Sequence, residues 1–139
     1  MSSLPRARTL AQYQSVAAHG AVAAADPHRL VLMLMDGAME RIARARGCME
    51  HGEYAEKSRL LHSAVMIVEE LRASLDLRAG GEIAANLDSL YDYVCRRLVL
   101  ANAQNQVSML DEATHLLREI REAWVAIPPE VRRAPAALP

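Results

Sequence analysis

The chain has no phenylalanine, and aromatic residues make up only 4% of its 139 positions. Its core must therefore be filled by Leu, Met, Ala, Val and Ile. That favours helices, because strands enrich aromatic and β-branched side chains. Cysteine is scarce too: Cys48 and Cys95 fall on different expected helices and form no Cys-x-x-Cys pair. Free thiols in a reducing cytosol are the expected state, although a single bridge between them stays open. Neither sign of charge dominates, with 16 Lys and Arg against 17 Asp and Glu, interspersed and without a basic stripe. This argues against nucleic acid as the ligand. No apolar run approaches the ~18 residues of a membrane span. Arg6, Arg8 and the Ala-rich run to Ala25 imitate a secretion signal, but Gln12, Gln14, Ser15 and His19 interrupt it. A cytoplasmic location is the expectation. A phosphate-binding loop is also missing, since Gly80-Gly81 follows a helix and not a strand.

What is present is helical periodicity in a chain that is 52% hydrophobic, long enough for one domain with a real core and no staple. In the central stretch, 80–102, Ile83, Leu87, Leu90, Val94, Leu98 and Ala101 recur at steps of three or four and form one stripe. Tyr91, Cys95, Val99 and Asn102 step along a second face. A helix of a simple bundle buries one stripe, so the second face points to a bound partner. The preceding region begins sharply at Asp26-Pro27, a capping oxygen followed by Pro at the first helical position. Its helix, 27–51, carries Val31, Leu34, Met35, Ala38, Ile42, Ala45 and Met49 as core. Leu30, Met33 and Gly37 point elsewhere, either into a neighbouring helix or into a partner groove where flexible Met side chains adapt to the ligand.

Gly52 turns the chain into a helix over 53–77, with Leu61, Ala64, Val68, Leu71 and Leu75 inward, flanked by Leu60, Val65 and Ile67. Gly80-Gly81 is expected to stop it. A last helix, capped by Asn105 or Ser108, keeps Leu110, Ala113, Leu117, Ile120, Trp124 and Ile127 on one face until Pro128-Pro129. Short connections between four long helices predict an all-α fold, an antiparallel up-down-up-down four-helix bundle. It spans 26–128, between a mobile N-terminal arm with a short helical segment (1–25, thin face Leu10, Tyr13, Val16, Gly20) and a flexible tail (129–139).

Chemistry is poorly provided for. A ferritin-like di-metal site needs Glu-x-x-His on two helices and a Glu from each of the others. This chain has one such spacing, Glu112 to His115, and His115 lies nearly opposite the Leu110, Leu117 and Trp124 stripe. His19, His28, His51 and His62 form no ligand-spaced cluster and read as solvated or capping. Cys95 has no base near it in sequence and reads as a packed or groove-lining thiol. Arg41 with Arg44, and Arg96 with Arg97, read as solvated faces, with an acidic partner segment as the second reading. No enzyme activity, cofactor or metal is expected.

Tyr13-Gln14, Pro27-x-x-Leu30 with Met33-Leu34-Met35-Asp36-Gly37-Ala38, Gly80-Gly81-Glu82-Ile83-Ala84-x-Asn86-Leu87, Leu90-Tyr91-Asp92-Tyr93, Arg96-Arg97-Leu98 with Ala101-Asn102, and Leu110-Asp111-Glu112 through Ala123-Trp124 occur in one order. Together they resemble the flagellin export chaperone family, FliS, over nearly the whole chain from Tyr13 to Trp124. The departures are Met35, where that family usually has Tyr, Val94, where Met is common, and a longer arm and tail. The resemblance implies a cytoplasmic, non-enzymatic chaperone. Its client would be the C-terminal region of flagellin, disordered when free, held from premature polymerisation and brought to a component of the flagellar export gate. It also implies that the arm, through Tyr13, occupies part of the client surface until flagellin displaces it. The expected client groove is Tyr13, Leu30, Met33, Tyr91, Cys95, Val99 and Asn102, and the same apolar surface could serve a homodimer when free.

Overall fold

The computed structural model describes residues 26–126. The expected arm with Tyr13, the tail and Ile127 lie outside them. The regular elements are all helices: α1 (Pro27–Glu50), α2 (Tyr54–Ala73), α3 (Gly81–Gln104) and α4 (Val107–Val125). They form the expected antiparallel four-helix bundle. Each helix packs on its neighbour in sequence, and α4 closes the ring against α1.

Side chains across each seam give the direction. Arg41 Nε on α1 donates to Ser63 Oγ on α2 at 2.7 Å. Lys57 at the start of α2 meets Asn102 at the end of α3, while Arg72 at the end of α2 meets Asp88 near the start of α3. Arg97 of α3 reaches Glu112 of α4 at 2.8 Å. On the closing seam, Asp36 accepts two bonds from Arg121, and Asp111 two from Arg46. The Tyr93 hydroxyl and then the Arg97 guanidinium hold the Glu112 carboxyl below the usual carboxylate range. The ion pairs among them lie at half-exposed seams, where screening keeps each one weak. They act mainly to set register.

The helix ends follow from local chemistry. Asp26 Oδ1 accepts from the His28 backbone N–H at 3.0 Å, and Pro27 opens α1 as the sequence predicts. At the other end of α1, Gly52 takes φ +73°, and the Glu53 N–H returns to the Cys48 carbonyl at 2.8 Å. This is the left-handed glycine stop that satisfies last-turn carbonyls.

Two expectations about the ends are corrected. The second helix stops at Ala73 and not at 77. Ser74 Oγ donates to the Leu71 carbonyl at 2.7 Å, and Asp76 Oδ1 then accepts from the N–H groups of Arg78 and Ala79. These short-range bonds give the backbone an alternative to the helix, so Leu75 falls in the connection. Gly80-Gly81 therefore opens α3 and does not end α2. A side chain at Gly80 would collide with Ala84 and the Asp76 carbonyl. Ser108 lies inside α4, whose N-cap is Gln106, and Asn105 does not cap it either. Asn105 closes α3 in the left-handed conformation, φ +52°, a position Asn tolerates, and its Oδ1 accepts from Lys57 Nζ at 2.6 Å.

The core is the apolar set that the composition demanded. In α1, Leu34, Met35, Ala38, Ile42, Ala45 and Met49 are buried as expected, with Val31 half-buried. In α4, Leu110, Ala113, Leu117, Ile120 and Trp124 are all buried. In α2, Leu60 and Ile67, read as flanks, are fully inside beside Leu61, Ala64, Val68 and Leu71.

In α3 the expected stripe is corrected. Val94, Leu98 and Ala101 are buried, but Ile83 is 70% exposed and Leu90 37%. Ala84, Tyr91 and Cys95 take the inner places. The helix is turned by about 50° from the stripe of largest aliphatics. Asp88 and Asp92 must reach Arg72 on one side while Tyr93 and Arg97 reach Glu112 on the other. The arc between those anchors is the one that is buried.

Of the two readings of His28, solvated or capping, the second holds: it is buried, with its ring on a last-turn carbonyl of α4. Its Nε2–H donates to the Trp124 carbonyl at 2.5 Å, the Trp124 indole N–H donates to the His28 carbonyl at 3.0 Å, and the rings stack at 5.3 Å. This pair locks the start of α1 to the end of α4. Every fully buried side-chain nitrogen or oxygen among the described residues has a partner.

A closed ring of this kind should be stable without any ligand. Leu117 is completely buried, so Leu117→Ala is expected to cost about 2–5 kcal/mol through lost burial and the cavity left behind. Urea unfolding measures it, and a change below about 0.5 kcal/mol would contradict the core position of this residue.

Candidate functional site

The seam between α2 and α3 carries a surface pocket of about 120 Å³ lined by Leu61, His62, Val65, Leu98, Val99 and Asn102. Its floor belongs to the core, because Leu61 and Leu98 are buried, whereas His62 and Val99 stand exposed. Val99 keeps 60% of its surface in water. An exposed valine over buried leucines, spanning two helices, is apolar surface that the bundle itself does not use.

Polar groups bound this seam at both ends. At one end Ser58 Oγ donates to Asn102 Oδ1 at 3.0 Å, and Lys57 Nζ donates to the Asn102 carbonyl at 2.9 Å and to Asn105 Oδ1. Lys57 is buried. Its ammonium is satisfied by α3's terminal acceptors, the place where the helix dipole favours a cation. At the other end Arg72 spans the seam to Asp88 at 2.8 Å and Asp92 at 3.1 Å.

The expected groove residues divide into groups. Val99 and Asn102 come together in the pocket. Tyr91 and Cys95 are only 3% and 5% exposed, so their expected place on an outward face is corrected: with α3 turned inward on that side, they belong to the core. Burial pushes the Tyr91 phenol up and the Cys95 thiol up to about 12, a proton-bearing group at any physiological pH. Cys95 Sγ sits 3.9 Å from the Val65 carbonyl, below the pocket. Leu30 is half-buried against the core, and Met33 is half-buried as well. Both lie towards the end of α1 where His28 meets Trp124, away from Val99 and Asn102. Tyr13 lies outside the described residues.

Sequence reasoning missed the α2 wall of the pocket. Leu61 and Val65 are spaced four apart, which could have suggested a shared face, but nothing in the chain alone sets them opposite Val99. His62 was read as solvated; it is exposed, and it stands on the pocket rim.

Among the described residues, no three or more His, Cys, Asp or Glu side chains group to hold a metal ion. Glu112 is engaged by Tyr93 and Arg97, and His115 is exposed beside Glu119 at 3.3 Å. Cys48 and Cys95 are both free thiols. No described helix is long and apolar enough to cross a membrane.

Comparison with known proteins gives one consistent answer. The family model described as "Flagellar protein FliS" matches residues 9–131. The flagellar secretion chaperone FliSB of Pseudomonas aeruginosa is 46% identical over 120 residues, 86% of this chain and 95% of the relative. Flagellar secretion chaperones FliS are 40% identical in Vibrio cholerae, over 93% of this chain and 95% of the relative, and 44% identical in Salmonella typhimurium, over 85% and 88%.

The burial of Cys95 has a measurable consequence. A thiol reagent at about pH 8 should leave Cys95 unmodified in the folded protein and modify it after unfolding in urea. Rapid modification of Cys95 without denaturant would contradict its place in the core.

Proposed function

The chain belongs to the FliS family of flagellar proteins, and from that membership we propose that it is a cytoplasmic export chaperone without enzymatic activity. It binds the C-terminal region of flagellin, prevents premature polymerisation and assists delivery to a component of the flagellar export gate. The observation that carries the binding site is the pocket at the α2–α3 seam, with Val99 exposed above the buried Leu61 and Leu98. A segment that is disordered when free loses chain entropy on ordering, so it must be repaid by apolar contact with surface that is already rigid. A ring of four packed helices supplies such a surface, because its own core is closed beneath the pocket.

The test replaces Val99, which touches the client in this reading and contributes little to the bundle. Val99→Glu is expected to retain the helical circular dichroism. It should weaken binding of the flagellin C-terminal segment at least tenfold, about 1.4 kcal/mol, because the carboxylate would be desolvated beneath the client. Unchanged affinity by calorimetry would remove this pocket from the binding site. Failure of the unaltered protein to bind the segment, with self-association through the same surface instead, would replace the chaperone reading by a homodimer.

A further inference from the structure

One apolar surface of α3 takes no part in the pocket. Ile83 lies about five turns before Ala101 and Leu90 about three turns before it, all along one line of the helix. Ala101 is fully buried, yet Ile83 is 70% exposed and Leu90 37%. What stands beside them makes the difference. Tyr93 and Arg97 both bond Glu112 on α4, which runs in the opposite direction to α3. Counting outward from those bonds, Leu90 stands level with 115–119 and Ile83 with 122–126, where α4 ends. The side of α4 that carries Glu112 continues at steps of four and three through Leu116 and Glu119 to Ala123. Ala123 is small and itself exposed. A slot therefore opens at this end of the α3–α4 seam, with Ile83 and Leu90 as its floor.

The chain leaves α4 beside this slot. The residues that follow, outside the described ones, read Ile127-Pro128-Pro129-Glu130-Val131-Arg132-Arg133, and the family match continues past α4 to residue 131. Two prolines in succession bar a further helical turn, since neither has an N–H for a carbonyl one turn back. Four extended residues, the step from Ile127 to Val131, span about 13 Å. Ile83 to Leu90 is about 10 Å along α3. The two apolar residues after α4 thus match the two exposed side chains in spacing. Charge matches as well. Glu119, level with Leu90, has only His115 beside it among the described residues, an ion pair only while the imidazole is protonated.

Other occupants fit worse. Two aliphatic side chains fall far short of the ~800 Å² per partner of a stable dimer. Residues 1–25 join the bundle at α1, which lies diagonally across the ring from α3. We propose that residues 127–133 fold back along the α3–α4 seam and cover this slot, Ile127 on Ile83 and Val131 on Leu90, with Arg132 and Arg133 turned to Glu119. Weak contacts suffice, because the tether keeps the segment at a high effective concentration. The tail then masks the apolar surface of α3 that faces away from α2, and the α2–α3 pocket is left open for a partner.

Methyl NOE spectroscopy of the full-length protein tests this contact. Cross-peaks are expected between the methyl groups of Ile83 and Ile127, and between those of Leu90 and Val131. Val131→Ser should shift the Leu90 methyl signals and weaken the cross-peak between Ile83 and Ile127, with the helical circular dichroism unchanged. Trypsin should cut this variant after Arg132 and Arg133 severalfold faster than the unaltered protein, because a released segment is open more of the time. Absence of any cross-peak from the tail to Ile83 or Leu90 would overturn the proposal, and so would unchanged cleavage. Cross-peaks from Leu4, Leu10 or Val16 would overturn it in favour of the N-terminal arm. Cross-peaks seen only between differently labelled copies in a mixed sample would overturn it in favour of a second molecule.

Discussion

The rotation of α3 about its own axis decides most of what this molecule presents to its surroundings. Tyr91, Val94, Cys95, Leu98 and Ala101 face inward. In that rotation Val99 and Asn102 fall at the seam with α2, while Ile83 and Leu90 are left in water. Hydrophobicity alone would favour burying the leucine and isoleucine, each worth about 1.5–3 kcal/mol when fully removed from water. The observed rotation buries the larger area of a tyrosine, and it keeps Asp88, Asp92, Tyr93 and Arg97 outside the core on the two seams they bridge. Turning α3 back would drive charged groups inward without partners, a cost larger than one exposed aliphatic side chain.

Around that helix the bundle is held by matched ends as well as by its core. His28 and Trp124 exchange hydrogen bonds between the first turn of α1 and the last turn of α4. Lys57 closes α3 from α2. These contacts join residues distant in sequence and satisfy terminal groups that would otherwise need water. Met35 fits the same logic. It is completely buried. A thioether needs no hydrogen-bond partner there, whereas a phenol hydroxyl would.

Much of this was legible in the sequence. The inward faces of α1 and α4 were readable almost residue by residue, because each carries one dense stripe at steps of three or four. The start of α1 was readable because Asp26-Pro27 encodes it locally. The face of α3 was not, because Ile83 and Leu90 outrank Ala84, Tyr91 and Cys95 on any single-helix scale, and the deciding partners, Arg72 and Glu112, lie on other helices. Which helix end His28 caps was unreadable for the same reason: its partner is 96 residues away. Val99 and Asn102, expected on one face of α3, do line the pocket together. The α2 half depends on interhelical register, which periodicity does not contain.

The central claim is that the client uses the α2–α3 seam and not the other exposed apolar surface of α3. Methyl-selective NMR of the full protein, titrated with the flagellin C-terminal segment, tests it most directly. The account predicts that the methyl signals of Val65, Leu98 and Val99 shift on binding, while those of Ile83 and Leu90 stay in place. Shifts at Ile83 and Leu90 with Val65 and Val99 unmoved would contradict it.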